Sequence, residues 1–121
     1  LTLEWMYRDC DTPAPIRLFE IHGTEDRTSA WEGDLENRSG WGAYLPVEIA
    51  VGYWVAANRC VREQTDTLAL RRHPVVAHRF VGGTGGNEVW LYEVVDGGHS
   101  WAEKDMDTSE EIWRFFGRFV K

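Results

Sequence analysis

Ile16-Arg17-Leu18-Phe19-Glu20-Ile21 is the stretch whose reading decides the fold. It is short, bulky and bounded by Pro15 and Gly23, which are strand signals. Side chains alternate along an extended chain, so Ile16 and Leu18 share one face while Phe19 and Ile21 share the other. Apolar residues on both faces suit a strand covered on both sides, as in a parallel sheet. His22-Gly23-Thr24-Glu25-Asp26 then leaves this strand as a tight polar turn. Residues 27–45 follow as a long connection containing Gly33, Gly40 and Gly42, and loops of that length inside a domain often carry function.

Downstream, Pro46 to about Asn58 reads as a helix. Pro46 suits the first helical position, Glu48 suits the positive end of the dipole, and Val47, Val51, Trp54 and Val55 fall on one face. Residues 61–74 are polar and weakly patterned and receive no element. Val75 to Val81 and Glu88 to Val95 read as strands joined by the Gly-rich Gly82–Asn87 loop, a hairpin signal. Asp96-Gly97-Gly98-His99-Ser100-Trp101 leaves the second of them. A last helix starts near Thr108, where Thr108-Ser109-Glu110-Glu111 has the form of a capping box, and Ile112, Phe115, Phe116 and Phe119 line its face. Upstream, Asp11-Thr12-Pro13-Ala14-Pro15 reads as an extended lead-in.

The order strand, helix, strand, strand, helix indicates an α/β fold in one domain spanning residues 1–121. Three strands are too few to cover the apolar faces just described. The expectation is therefore the C-terminal part of a larger sheet whose N-terminal half is absent, and a first residue of Leu1 rather than Met agrees with it.

Composition narrows the function. The 13 Lys and Arg against 20 Asp and Glu give a net charge of −7, which argues against a nucleic-acid backbone or an anionic membrane as partner. No run approaches the ~20 apolar residues of a spanning helix, and no signal-peptide pattern opens the chain. Cys10 and Cys60 allow one bridge or none. Seven Trp suit cores, clefts and binding faces. Trp54, Trp90 and Trp113 lie in regular elements, where packing is the default role.

Asp26 and His99 carry the sharpest chemical reading. Each lies just past the end of an expected strand, where open α/β sheets gather their functional groups. A carboxylate there holds an imidazole in one tautomer and stabilises its protonated form, so that the imidazole takes a proton from a hydroxyl nucleophile. Gly97 and Gly98 permit a tight turn before His99. Of Ser29, Ser39, Ser100 and Ser109, none has glycine at both −2 and +2, so no nucleophile elbow is present. His22, Asp26 and His99 lack the spacing of a metal site, and the Gly82–Asn87 loop lacks the Gly-Lys-Ser/Thr ending of a phosphate loop. No metal or other cofactor is expected. Surface or packing roles suffice for His73 and His78.

These residues together resemble the C-terminal portion of α/β-hydrolase esterases of the polyhydroxybutyrate depolymerase and feruloyl esterase type. The resemblance runs through Ile21-His22-Gly23-Thr24-Glu25-Asp26, Trp31-Glu32-Gly33, the Trp54, Asn58, Cys60 series, Val89, Leu91, Tyr92 and Gly97-Gly98-His99-Ser100-Trp101, then Ile112, Trp113, Phe115 and Phe116. It implies a secreted or extracytoplasmic carboxylic ester hydrolase acting on a small or polymeric ester. Asp26 would be the triad acid, His99 the general base, and Trp31 and Trp101 the edges of the substrate pocket. The serine and the oxyanion hole would lie upstream, so residues 1–121 alone would be inactive. The apolar edge and face left open would bind the missing half or a second copy. The competing reading is a non-catalytic module whose Trp-rich loops, with Trp31, Trp41 and Trp101, grip a carbohydrate or polymer.

Overall fold

A computed structural model describes residues 2–10 and 13–120. The elements are α1 (Glu4–Asp9), β1 (Leu18–Gly23), α2 (Val47–Asn58), β2 (Arg62–Leu68), β3 (Val75–Val81), β4 (Val89–Val94) and α3 (Thr108–Phe116), with short 3₁₀ turns at Thr84–Gly86 and Gly117–Phe119. The four strands form one mixed sheet in the order β1-β4-β3-β2. β1 runs parallel to β4, while β3 is antiparallel to both β4 and β2. The architecture is α/β. Among the described residues no helix is long and apolar enough to cross a membrane.

The two-faced pattern of the first strand is met by two layers. Leu18 packs with Val47 and Val51 of α2 and with Val89 and Leu91 of β4. Phe19 and Ile21 pack on the opposite side with Trp90, Tyr92 and Phe115. Phe115, fully buried, meets Phe19 at 5.4 Å and Trp90 at 5.1 Å between ring centroids. Burying one such side chain contributes about 2–3 kcal/mol. The strand begins at Leu18 rather than Ile16, whose side chain is exposed.

Several expectations are corrected. The unassigned stretch 61–74 contains a fourth strand, β2, paired with β3 from Arg62↔Val81 to Leu68↔Val75. Its side chains from Arg62 to Thr67 are all exposed, so it carries no apolar alternation and is held by backbone pairing at the sheet edge. The lead-in contains the short helix α1; Asp11 and Thr12 of that stretch lie outside the described residues. The helix cap of α3 is Asp107 rather than Thr108. Its carboxylate accepts from the Glu110 N–H at 3.0 Å, while the Thr108 hydroxyl donates to the Trp101 carbonyl at 2.6 Å. Phe116 and Trp113 project from the outer side of α3 and are exposed rather than core. Cys10 and Cys60 are free thiols.

Asn58, the last residue of α2, is fully buried. Its amide donates to the carbonyls of Ile16 and Trp54, both at 2.8 Å, and its side-chain oxygen accepts from Asn87 at 3.0 Å. One side chain therefore ties the helix end to the entry of β1 and to the hairpin loop. That loop turns on Gly82, Gly85 and Gly86, with φ of 76°, 63° and 77°, a left-handed backbone that disfavours any side chain.

Candidate active site

Because β1 and β4 are adjacent and parallel, the turns that leave them emerge side by side. Three hydrogen bonds lace these turns together. The Thr24 N–H donates to the Val94 carbonyl at 3.0 Å, the Glu25 N–H to the Gly97 carbonyl at 2.9 Å, and the Asp96 N–H to the Thr24 hydroxyl at 2.8 Å. A Cβ at Gly23 would overlap the Gly97 carbonyl, so this approach requires glycine. Left-handed φ falls on Asp96 (63°) and Ala102 (62°), not on Gly97 or Gly98.

The lacing brings Asp26 and His99 into contact. His99 Nδ1 lies 2.9 Å from Asp26 Oδ2, with the carboxylate 5% exposed and the imidazole 60% exposed. The other carboxylate oxygen, Oδ1, accepts from the backbone N–H groups of Thr28 at 2.9 Å and Ser29 at 2.8 Å. Burial pushes the Asp26 carboxyl pKa up, but the Ser29 N–H, the His99 imidazole and the Thr28 N–H together outweigh it and hold the group below its ordinary value. An ionised Asp26 accepts from Nδ1–H, which leaves His99 Nε2 as the basic nitrogen. Among the described residues Nε2 bonds to no Ser or Cys. Ser100 Oγ instead accepts from the Ala102 N–H at 3.2 Å.

Two further histidines belong to this region. His22 is buried behind Asp26, with Nδ1 3.0 Å from Glu20 Oε1 and Nε2 2.6 Å from the Ser29 carbonyl and 3.5 Å from Asp26 Oδ2. Burial lowers its pKa, but the Glu20 hydrogen bond, the Ser29 carbonyl and the charges of Glu20 and Asp26 reverse the balance and raise it. The chain from Glu20 through His22 and Asp26 to His99 was half-visible in sequence, because Glu20 and His22 alternate on one face of β1. His73 lines the same cleft of about 250 Å³ as His99 and is held at Nδ1 by the buried Asp105 at 2.7 Å. This pairing joins residues 32 apart in the chain. The His78 ring bridges Glu63 at 3.1 Å and Glu93 at 3.0 Å across β2, β3 and β4.

The two tryptophans have separate settings. Trp31 is half-buried, meets His22 edge-on at 5.9 Å, and packs with the α2 residues Val47 and Val51. Trp101 is 59% exposed two residues past His99. No ring contact joins them among the described residues.

No family model, curated protein or solved structure matches this chain. The site is accordingly read from its own geometry. That geometry provides a buried carboxylate, an imidazole fixed by it, and one free basic nitrogen beside a cleft. Such an arrangement can abstract a proton from a hydroxyl and return it to a leaving group. Among the described residues no group of three or more His, Cys, Asp or Glu side chains is placed to hold a metal ion.

Proposed function

We propose that this chain contributes the acid and the base of a serine-type carboxylic ester hydrolase, of the polyhydroxybutyrate depolymerase and feruloyl esterase type. The observation that carries this reading is the 2.9 Å contact of His99 Nδ1 with Asp26 Oδ2 at the C-terminal ends of two adjacent parallel strands. A second feature supports it. Among the described residues β1 is an end strand of the sheet and pairs only with β4, so its other edge would accept a further strand. The hydroxyl that His99 serves would belong to a segment added at that edge, and the protein would work outside the cytoplasm.

The steps follow from the hydrogen bonding. His99 Nε2 takes the serine proton as the serine oxygen bonds to the ester carbonyl carbon. Asp26 stays ionised and stabilises the imidazolium through Nδ1–H. His99 then passes the proton to the departing alkoxide, the C–O bond breaks, and an acyl-enzyme remains. Water, activated by the same nitrogen, releases the acid. Trp101, exposed beside His99, would border the ester, and Trp31 would act behind His22.

The test is hydrolysis of short-chain aryl esters by the complete protein that carries this segment. His99→Ala is expected to lower kcat by about 10⁶-fold, and Asp26→Asn by roughly 10⁴-fold. Unchanged rates in both variants overturn the reading.

A non-catalytic role has one specific observation in its favour. Trp41, half exposed, is held flat in a loop by stacking on the buried Tyr44 at 5.0 Å and 18°. A module of this kind would bind an insoluble polyester or polysaccharide equally well with and without His99→Ala, and would lose binding with Trp41→Ala.

A further inference from the structure

The stretch joining β2 to β3 is laced to the stretch that precedes α3. Arg71 Nη1 donates to the carbonyls of Glu103 at 2.6 Å and Met106 at 3.1 Å. The Arg72 N–H donates to the Lys104 carbonyl at 3.2 Å, and the His73 N–H to Asp105 Oδ1 at 2.9 Å. Between the two stretches lies the cleft of about 250 Å³ that Arg72, His73, His99 and Lys104 help to line. Its walls are thus held together by one backbone hydrogen bond and by the side chains of Arg71 and Asp105 bonding to backbone groups.

The charges in this cleft are unevenly committed. Asp105 is 6% exposed, and one of its oxygens already takes both the N–H and the ring Nδ1 of His73. Arg71 is spent on carbonyls. Arg72 and Lys104, by contrast, are exposed and enter no ion pair or side-chain hydrogen bond among the described residues. Glu103 is the other acid of the lining. Two imidazoles also line the cleft, each held at Nδ1 by a buried carboxylate, so that Nε2 is the nitrogen left for a ligand.

This donor set fits a small carboxylate. A guanidinium fork takes two oxygens side by side, an ammonium takes a remaining lone pair, and an imidazole accepts from an acid or, once protonated, donates to its anion. A cleft of about 250 Å³ has room for a small organic acid of several carbon atoms. A polyanion is disfavoured by the net charge of −7. We infer that the cleft between Arg72, His73 and Lys104 is a carboxylate subsite beside His99, so that the ester handled there carries a free carboxylate at that end. The subsite stands on its own geometry; its assignment to an ester substrate rests on the function proposed above.

The test is an NMR titration of the 121-residue chain with succinate at constant ionic strength, following Arg side-chain and His ring signals. Saturable shifts are expected at Arg72, His73 and His99. The double variant Arg72→Gln/Lys104→Gln, confined to two exposed side chains, should weaken binding by about ten-fold or more while the remaining spectrum is unchanged. Equal shifts with sodium chloride or with dimethyl succinate overturn the subsite, as does undiminished binding in the double variant. Binding of inorganic phosphate without succinate overturns the carboxylate assignment. Succinate binding with no ester hydrolysis by the complete protein keeps the subsite and removes the ester; hydrolysis without succinate binding removes the subsite alone.

Discussion

Gly23 and Gly97 meet backbone to backbone where β1 and β4 end, with no room for a Cβ on Gly23. This approach sets the Asp26 turn against the His99 turn. Gly23→Ala is expected to force the turns apart and to destabilise the chain by about 3 kcal/mol, since overpacking against backbone cannot be relieved by a rotamer change. Urea unfolding measures the loss. The His99 ring signals should move with it, and a variant of wild-type stability with unmoved ring signals would exclude the close contact.

Asn58 is the second point of leverage. Its buried amide satisfies groups in α2, in the entry to β1 and in the hairpin loop. Asn58→Ala leaves the Ile16 carbonyl and Asn87 without this partner and should cost about 2–3 kcal/mol. Asn58→Ser, which keeps a polar group too short to reach all three, should not restore stability. Recovery to wild type in denaturant midpoint would show that the amide is dispensable.

The pH dependence follows from His22. Its folded pKa is raised above the ordinary 6.5, since Glu20, the Ser29 carbonyl and Asp26 together outweigh a burial that works to lower it. A raised pKa means that protonation favours the folded state. Its contribution is complete below the unfolded value of 6.5 and fades as pH rises through the folded value. His78, raised by Glu93 and Glu63 against the burial that lowers it, acts with the same sign. Unfolding free energy should therefore fall as pH rises past 6.5, and His22→Gln should flatten part of that slope. An unaltered slope in the variant would remove His22 from the account.

The free edge of β1 predicts association. Among the described residues β1 pairs with β4 on one side only and carries Leu18, Phe19 and Ile21 toward the two packed layers. An open strand edge is a template for another strand. Sedimentation of the isolated chain should show dimers or larger species as concentration rises, and a monomer at every concentration would count against an open edge.

Much of the frame was legible from periodicity. β3 has the predicted bounds, β4 and α2 lie within one residue of theirs, and the two-faced burial of β1 follows from Leu18 alternating with Phe19 and Ile21. β2 was not legible, because Arg62 to Thr67 bury no side chain and the strand exists only through its pairing with β3. The outer position of Phe116 was missed for a related reason. Helical spacing places it near Phe115, but the core ends at Phe115 and Phe119.

By itself the sequence determined that two strands end in polar turns bearing Asp26 and His99, since local pattern and turn chemistry act over a few residues. Only the tertiary structure decided that the two turns are neighbours, because that depends on β1 lying parallel to β4 rather than beside β3. The same holds for His73 on Asp105. That pairing is made by two loops brought together by the fold, and a hydrogen bond of that kind leaves no periodic trace along the chain.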